Sequence, residues 1–450
     1  MYQDVIAAVA TPAGEGGIAI LRLSGIAALE VAKGCFRRRR GRFSPQPWRV
    51  YYGEVFDSSG ERIDECLATY FRAPHSYTGE DVVELDVHGG SFVASRVLRR
   101  LLECGARLAA PGEFTKRAFL NGRIDLSQAE AVIDVIRAGS DLALRNANSH
   151  LQGTLRRDIV EIRQLLLGTL ALVEAHLDFP DLDAPELTHS AVKSELRWAL
   201  ARLEALVASV RGGEVVREGF RVALVGRPNV GKSSLFNCLA GHDRAIVTDI
   251  AGTTRDVLEV GVNYDGMLLR FFDTAGLRDQ GDFIERIGME RTEQAMSEAD
   301  FIVLLIDSSE ELHREDFVLL ERTEVFRRLI VLTKGDLPLR ALLPDEPRRL
   351  TVSAHAGRGV HELKEVISQA ARTTMGAEHA QFVTNIRHAT AVTGAKVATE
   401  NALQVVSEGW ELELVTIDVR RALTYLGEIT GDDVSHGLTD EIFSQFCIGK

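Results

Sequence analysis

The segment Gly226-Arg227-Pro228-Asn229-Val230-Gly231-Lys232-Ser233 fits the pattern G-x-x-x-x-G-K-[ST] and stands directly behind the apolar run Arg221–Val225. Such a loop needs a strand before it and a helix after it, which commits this part of the chain to a parallel α/β sheet. Its glycines let backbone N–H groups turn inward around a β-phosphate, and the helix that follows presents its positive end to the same group. Lys232 then reaches the β- and γ-phosphates and the Ser233 hydroxyl ligates Mg²⁺, with Asn229, Val230, Gly231 and Ser234 completing the cradle.

Two further signals follow in order. Asp273-Thr274-Ala275-Gly276 ends the next long apolar run. An aspartate there holds Mg²⁺ through water, while the Gly276 N–H meets the γ-phosphate. Thr333-Lys334-Gly335-Asp336 closes the run Leu329–Leu332. A carboxylate at that strand end accepts two hydrogen bonds from guanine N1–H and its amino group, a pair adenine cannot offer, so Asp336 selects GTP over ATP. Ser353-Ala354 follows the last run and buttresses the base. Each fragment alone reads as a turn; in this order they specify a GTPase fold. Thr333 stands where guanine-binding proteins usually carry Asn, which predicts weaker nucleotide binding with unchanged base choice and leaves open whether a bridge to the phosphate loop forms.

The residue after Gly276 is Leu277, where Ras-like enzymes keep a water-orienting Gln. Leucine makes no hydrogen bond, so hydrolysis needs another water-positioner and another source of positive charge. The stretch Thr248-Asp249-Ile250-Ala251-Gly252-Thr253-Thr254 lies at the first switch position, and either of its paired threonines could supply a second Mg²⁺ hydroxyl. Asn229 puts a side-chain oxygen near the β/γ bridge. With main-chain carbonyls of the switch it could complete an oxygen cage for a monovalent cation; the plainer reading is a hydrogen bond within the loop.

Composition bounds the rest. The 450 residues are enough for about three domains of ordinary size. The net charge of −13 gives no global preference for nucleic acid or an anionic membrane, although a local basic patch could still bind one. Five scattered cysteines, without CxxC spacing, exclude a zinc ribbon and fit a reducing compartment. No apolar run approaches the roughly 20 residues that span a bilayer, and Met1-Tyr2-Gln3-Asp4 lacks a signal peptide's basic start. The expectation is a cytoplasmic protein without a membrane anchor.

The period of the apolar residues divides the chain. Residues 1–119 read as mixed α/β, with a half-exposed strand at Val82–Val87 and a helix at Ala94–Leu102; Arg37–Arg40 reads as a solvated loop, with RNA or phosphate contact as the second reading. Residues 120–216 turn helical, with stripes through Leu155, Ile159, Ile162 and Leu166 and through Leu196, Leu203 and Val210, separated by the acidic stretch Asp178–Pro185. Residues 217–375 alternate strands with helices, and residues 376–450 are helical again. An all-α domain interrupted by a parallel-sheet P-loop domain, and preceded by an α/β domain, accounts for this order; two separate helical domains are the alternative.

Thr11–Gly17 with Leu21-Arg22, Tyr77–Asp81, Ala110–Phe114, the nucleotide motifs and the terminal Phe446-Cys447-Ile448-Gly449-Lys450 together resemble the MnmE (TrmE) family of tRNA-modification GTPases over essentially the whole length. The resemblance implies a potassium-dependent GTPase whose nucleotide domains dimerise. Asn229, Thr248, Ile250 and Thr253 would surround K⁺, Ser233 and Thr254 would hold Mg²⁺, and Glu285 would orient the attacking water. It implies an N-terminal module that binds a tetrahydrofolate one-carbon derivative through Arg22, Glu80, Arg123 and Lys450 and holds a homodimer together. It also implies a heterotetramer with an MnmG (GidA)-type flavoprotein carrying FAD and using NADH. With that partner the family adds an aminomethyl or carboxymethylaminomethyl group to the C5 position of the wobble uridine of certain tRNAs, with Cys447 required. From the residues alone, Glu285 is one acid among 65, and a GTP-dependent ribosome-assembly or scaffold switch is the competing function.

Overall fold

The computed structural model describes residues 4–178, 189–242, 258–273, 293–343, 349–376, 381–408, 412–433 and 436–450. The chain divides into two compact units, one formed by Met1–Ile133, His150–Glu161 and Leu426–Lys450, the other by Asp134–Ser149 and Ile162–Tyr425.

In the first unit β1 (Ile6–Val9), β2 (Ile18–Ser24), β3 (Phe36–Arg38), β4 (Val50–Phe56), β5 (Arg62–Phe71), β6 (Val82–His88) and β7 (Arg107–Leu108) form one sheet in the order β3-β4-β5-β6-β2-β1-β7. Only the β1–β7 pair is parallel. On β6, Val83, Leu85 and Val87 are buried while Glu84 and Asp86 are half-buried, the alternation of a strand with one face on a core. The helix Ser91–Glu103 buries Ala94, Val97 and Leu101, one face at helical spacing, with Leu21, Leu23, Val55 and Ala68. Arg37 and Arg38 are in strand, not in the loop that four consecutive arginines suggest. Buried Phe36 anchors β3, and the register sets Arg37 opposite Glu54 at the sheet edge.

The C-terminal end of this unit is also packed. Phe443 and Phe446 are buried with Leu126, Ala129 and Ile442, and the Phe114 N–H donates to the Lys450 carbonyl at 3.2 Å. A chain end is ordinarily loose; this one is docked, yet Cys447 itself is exposed.

In the second unit β8 (Phe220–Val225), β9 (Leu258–Tyr264), β10 (Met267–Asp273), β11 (Phe301–Asp307), β12 (Arg328–Thr333) and β13 (Arg349–Thr351) run in the order β13-β12-β11-β8-β10-β9. The expected parallel sheet needs one correction. β9 is antiparallel to β10, because Asp265 (φ 52°) and Gly266 (φ 76°) both take the left-handed conformation of a two-residue hairpin turn. Every residue of β11 is buried, as a central strand covered on both faces requires. The long helix His189–Glu218 lies along Ile386–Ser407 and against Val360–Met375. The Thr169 hydroxyl of the helix Thr154–Asp178 donates to Glu195 at 2.5 Å. Among the described residues no helix is long and apolar enough to cross a membrane.

Candidate nucleotide site

β8 is where the strand order reverses, with β10 on one side and β11 on the other. A crevice forms beyond the carboxyl ends of a sheet at such a point. The loop leaving β8 there is the glycine-rich segment, and the helix Lys232–His242 opens immediately after it. Its first-turn amides have no acceptor within the helix, the arrangement that meets an anion at a helix start.

Two left-handed residues shape the loop, Gly231 at φ 100° and Asn229 at φ 64°. Glycine adopts that backbone freely, whereas Asn holds it at a cost, and such outliers concentrate at ligand sites. Asn229, Ser233 and Ser234 are exposed at the mouth, whereas Val230 is buried beneath it. Lys232 is 5% exposed, and its ammonium donates to the Gly226 and Arg227 carbonyls at 2.6 and 2.7 Å. The cation is thus already held over the loop by its own backbone, within the turn that a phosphate would enter.

The base side is built from the ends of β11, β12 and β13. The Thr333 hydroxyl donates to the Val230 carbonyl at 2.6 Å, so the bridge between base loop and phosphate loop forms without the usual Asn. Lys334 is left-handed at φ 56°, and its ammonium reaches Asp307 Oδ2 at 2.5 Å. Asp307 also accepts from the Ser309 amide and hydroxyl at 2.9 and 2.6 Å. Burial alone would raise its pKa, yet Lys334 and Ser309 together hold the carboxyl below the usual range. Asp336 is exposed and accepts from the Ser353 hydroxyl at 2.6 Å, the principal cause of its lowered pKa. Ser353 in turn accepts from the Ala356 amide at 3.1 Å, and Ala354 is half-buried beside it. The free carboxylate edge of Asp336 is the acceptor pair that guanine needs.

Asp307 escaped the sequence reading. Its signal was present, a lone carboxylate closing a seven-residue apolar strand, but only the structure brings Lys334 to it. Arg227, inside the glycine loop, also gains partners not foreseen, Glu310 at 2.5 Å and Asp316 at 3.4 Å. Asp273 closes β10 as expected. Thr248, Asp249, Ile250, Ala251, Gly252, Thr253, Thr254, Thr274, Ala275, Gly276 and Glu285 lie outside the described residues.

The other candidate residues sit in the first unit. Arg22 pairs with Glu84 at 2.8 Å, donates to the Gly449 carbonyl at 3.3 Å and stands over the Tyr77 and Phe114 rings. Arg22 and the Lys450 end are therefore brought together. Glu80 is buried and already engaged, accepting from Ser24 at 2.7 Å and from Arg117 at 3.1 Å. Arg123 is exposed, near enough to Tyr77 for its charge to act on the phenol.

A strand, a glycine loop, a helix and a guanine-type acceptor in this order define a P-loop protein of the GTPase class. The profile of the MnmE helical domain matches residues 126–447, and that of the GTP-binding protein TrmE N-terminus matches residues 5–123. The chain belongs to the MnmE (TrmE) family of tRNA modification GTPases. It is 45% identical to the tRNA modification GTPase MnmE of Geobacillus thermodenitrificans over 99% of both chains. It is 46% identical to that of Symbiobacterium thermophilum over 100% of both. Among solved structures, the G domain of the T. maritima FeoB iron transporter is 27% identical and covers 34% of this chain and 98% of its own, at a TM-score of 0.26.

Proposed function

We propose that this chain is a potassium-dependent GTP hydrolase that works in the cytoplasm with an MnmG-type flavoprotein. Together they add an aminomethyl or carboxymethylaminomethyl group to C5 of the wobble uridine of certain tRNAs. Family membership supports the tRNA chemistry, and the single observation that carries the nucleotide half is the Thr333–Val230 bridge. With it the residue that opens the base loop is fastened to the residue beneath the phosphates, so one bound molecule is gripped at both ends.

Roles follow from chemistry. Lys232 and the loop amides neutralise the phosphates, and Asp336 reads the base with Ser353 behind it. The exposed Ser233 hydroxyl at the helix start and the exposed Asn229 suit hard cations, which take oxygen ligands. Ser233 with Thr254 would hold Mg²⁺, through water with Asp273, and Asn229 with Thr248, Ile250 and Thr253 would hold K⁺. Held there, those ions would supply the positive charge that an arginine finger supplies in other GTPases. Glu285 is the residue proposed to position water in place of the Gln that Leu277 replaces.

Arg22, Glu80, Arg123 and Lys450 are proposed to bind a tetrahydrofolate one-carbon derivative. The docking of the tail beside Arg22 supports this reading, while Glu80, already accepting from Ser24 and Arg117, could only accept a further hydrogen bond from the folate on a remaining lone pair. Residues 1–119 form the proposed homodimer module, 120–216 and 376–450 a helical domain, and 217–375 the nucleotide domain inserted in it. The packing of His189–Glu218 along Ile386–Ser407, on either side of the sheet in sequence, supports the insertion. FAD and NADH belong to the flavoprotein, which completes a heterotetramer.

Cys447 tests the function. Its thiol is exposed, whereas burial pushes the Cys35 thiol up to about 12 and raises that of Cys66 further, leaving those two inert at neutral pH. Cys447→Ser is expected to abolish uridine modification of tRNA in cells, by nucleoside mass analysis, with GTP turnover unchanged. Full modification by the variant would favour the assembly-switch function instead.

A further inference from the structure

Arg37 and Arg38 lie on β3, the edge strand of the N-terminal sheet, and Arg39, Arg40, Arg42 and Arg49 in the segment that joins β3 to β4, in a chain whose net charge is −13. All six are exposed, and among the described residues none forms an ion pair, whereas Arg22, Arg96, Arg100, Arg107 and Arg117 of the same unit are each paired with a carboxylate. A single unpaired surface arginine is ordinary. Six within thirteen residues of an acidic protein, with Glu54 opposite Arg37 and Glu65 reached from Arg39 only through the Tyr52 hydroxyl, leave a local positive potential that an external anion would relieve.

The edge also carries stacking planes. Arg37 stands 4.7 Å from the centroid of the Phe56 ring, Arg38 5.1 Å from Tyr51 and Arg39 5.5 Å from Tyr52. The register explains this, because β3 runs antiparallel to the aromatic-rich β4 and lays the arginine run across it. A guanidinium resting on a ring is fixed in orientation and still offers its N–H groups to a phosphate. Next to them Trp48 is 63% exposed and left-handed at φ 64°, and its indole is held edge-on against Phe71 at 5.0 Å. A bulky residue held in a strained backbone with its ring in water points to a partner for that ring.

Unpaired cations braced on rings, beside the exposed Tyr52 and Trp48, match single-stranded nucleic acid, whose phosphates take the charges and whose unstacked bases lie on the exposed rings and the guanidinium planes. A second copy docked through the same edge sets two arginine runs against each other. A lipid surface takes the arginines and Trp48 but offers no flat base to lie on the guanidiniums braced over Phe56, Tyr51 and Tyr52. We propose that this edge binds a single-stranded loop of the RNA substrate, directly and apart from the nucleotide site. The proposal rests on the tRNA reading for the identity of the RNA.

The test uses the full chain with Arg40→Ala, Arg42→Ala and Arg49→Ala combined, residues with no ring beneath them, and separately Trp48→Gly, which suits the left-handed backbone. Filter binding of unmodified tRNA is measured across a salt series. The triple variant is expected to bind at least about tenfold more weakly, with a log–log salt slope shallower by about 2, since each lost single-strand phosphate contact removes about 0.7. Trp48→Gly is expected to bind about tenfold more weakly with its slope unchanged, as for loss of one stacked base. GTP hydrolysis without tRNA should equal wild type in both. Wild-type tRNA binding by both variants overturns the proposal. So does unchanged tRNA binding combined with lost dimerisation in sedimentation, or with lost binding to phosphatidylserine vesicles. The functional reading fails separately: a wild-type chain that binds tRNA through this edge yet modifies no uridine keeps the proposal and removes that reading.

Discussion

Thr333 joins the two halves of the nucleotide site with one hydroxyl, donated to the Val230 carbonyl at 2.6 Å. An asparagine there carries two donors and an acceptor, so it can bridge and also contact the base; threonine, already donating, cannot do both. Binding of GTP therefore leans harder on Lys334 and Asp336, and on Asp307, which holds the Lys334 ammonium. Asp307→Asn is expected to weaken GTP binding about tenfold or more, the usual effect of losing a hydrogen bond between charged groups, measured by titration calorimetry. The pH dependence follows from the lowered native pKa of Asp307. A depressed carboxyl contributes stability in full above its unfolded value of about 4 and loses it as pH falls through the lower native value. The stability gap between wild type and Asp307→Asn in urea unfolding should thus stay level from neutral pH down to about 5 and close only below about 4.

At the scale of elements, the helix Glu113–Leu120 depends on one side chain. Arg117 is fully buried and pairs with Asp4 at 2.8 Å, Glu80 at 3.1 Å and Glu113 at 3.1 Å, while Arg107 also grips Glu113 at 2.5 Å. Arg117→Met removes the cation and leaves the buried carboxylate of Glu80 without a charged partner, while Glu113 keeps Arg107. A loss of about 3–5 kcal/mol in urea unfolding is expected, the usual result of breaking a buried pair from one side. A loss below about 1 kcal/mol would mean the pairs are solvent-screened. Nothing in the sequence marks Arg117, since a lone arginine on a helix reads as surface and two of its three partners, Asp4 and Glu80, come from distant stretches. The strands of the second unit were legible because buried central strands are continuous apolar runs, as in Phe301–Asp307. The hairpin β9–β10 was missed although Asp265-Gly266 is a hairpin dipeptide, because the parallel strands around it dominate the pattern. The docked tail was illegible for another reason. Gly449 is left-handed at φ 95°, and a Cβ there would lie 2.4 Å from the Val9 carbonyl, a contact between opposite ends of the chain that no local pattern announces.

Across the whole molecule the motifs that carry chemistry were legible as ordered fragments, because phosphate and guanine recognition fix residue types at fixed places on a sheet edge. Their supports, Asp307, Arg227 and Arg117, were not, because each depends on partners distant in sequence. On the proposed RNA edge, six of the chain's 52 Lys and Arg residues fall between positions 37 and 49, which is how a chain of net charge −13 could still meet tRNA, and the nucleotide site has its own cations in Lys232 and Lys334. What the sequence of the nucleotide site lacks is a glutamine at position 277, where leucine stands, and that lack makes the proposed potassium requirement the point to test. GTP turnover by the full chain should be followed in KCl and in NaCl at equal ionic strength, wild type beside Asn229→Ala. An arginine finger is worth about 10³-fold or more, so a cation acting in its place should make wild type at least about tenfold faster in K⁺. Asn229→Ala should erase that difference. Equal rates in the two salts for wild type, or a K⁺ preference that survives Asn229→Ala, would contradict a cation held at Asn229.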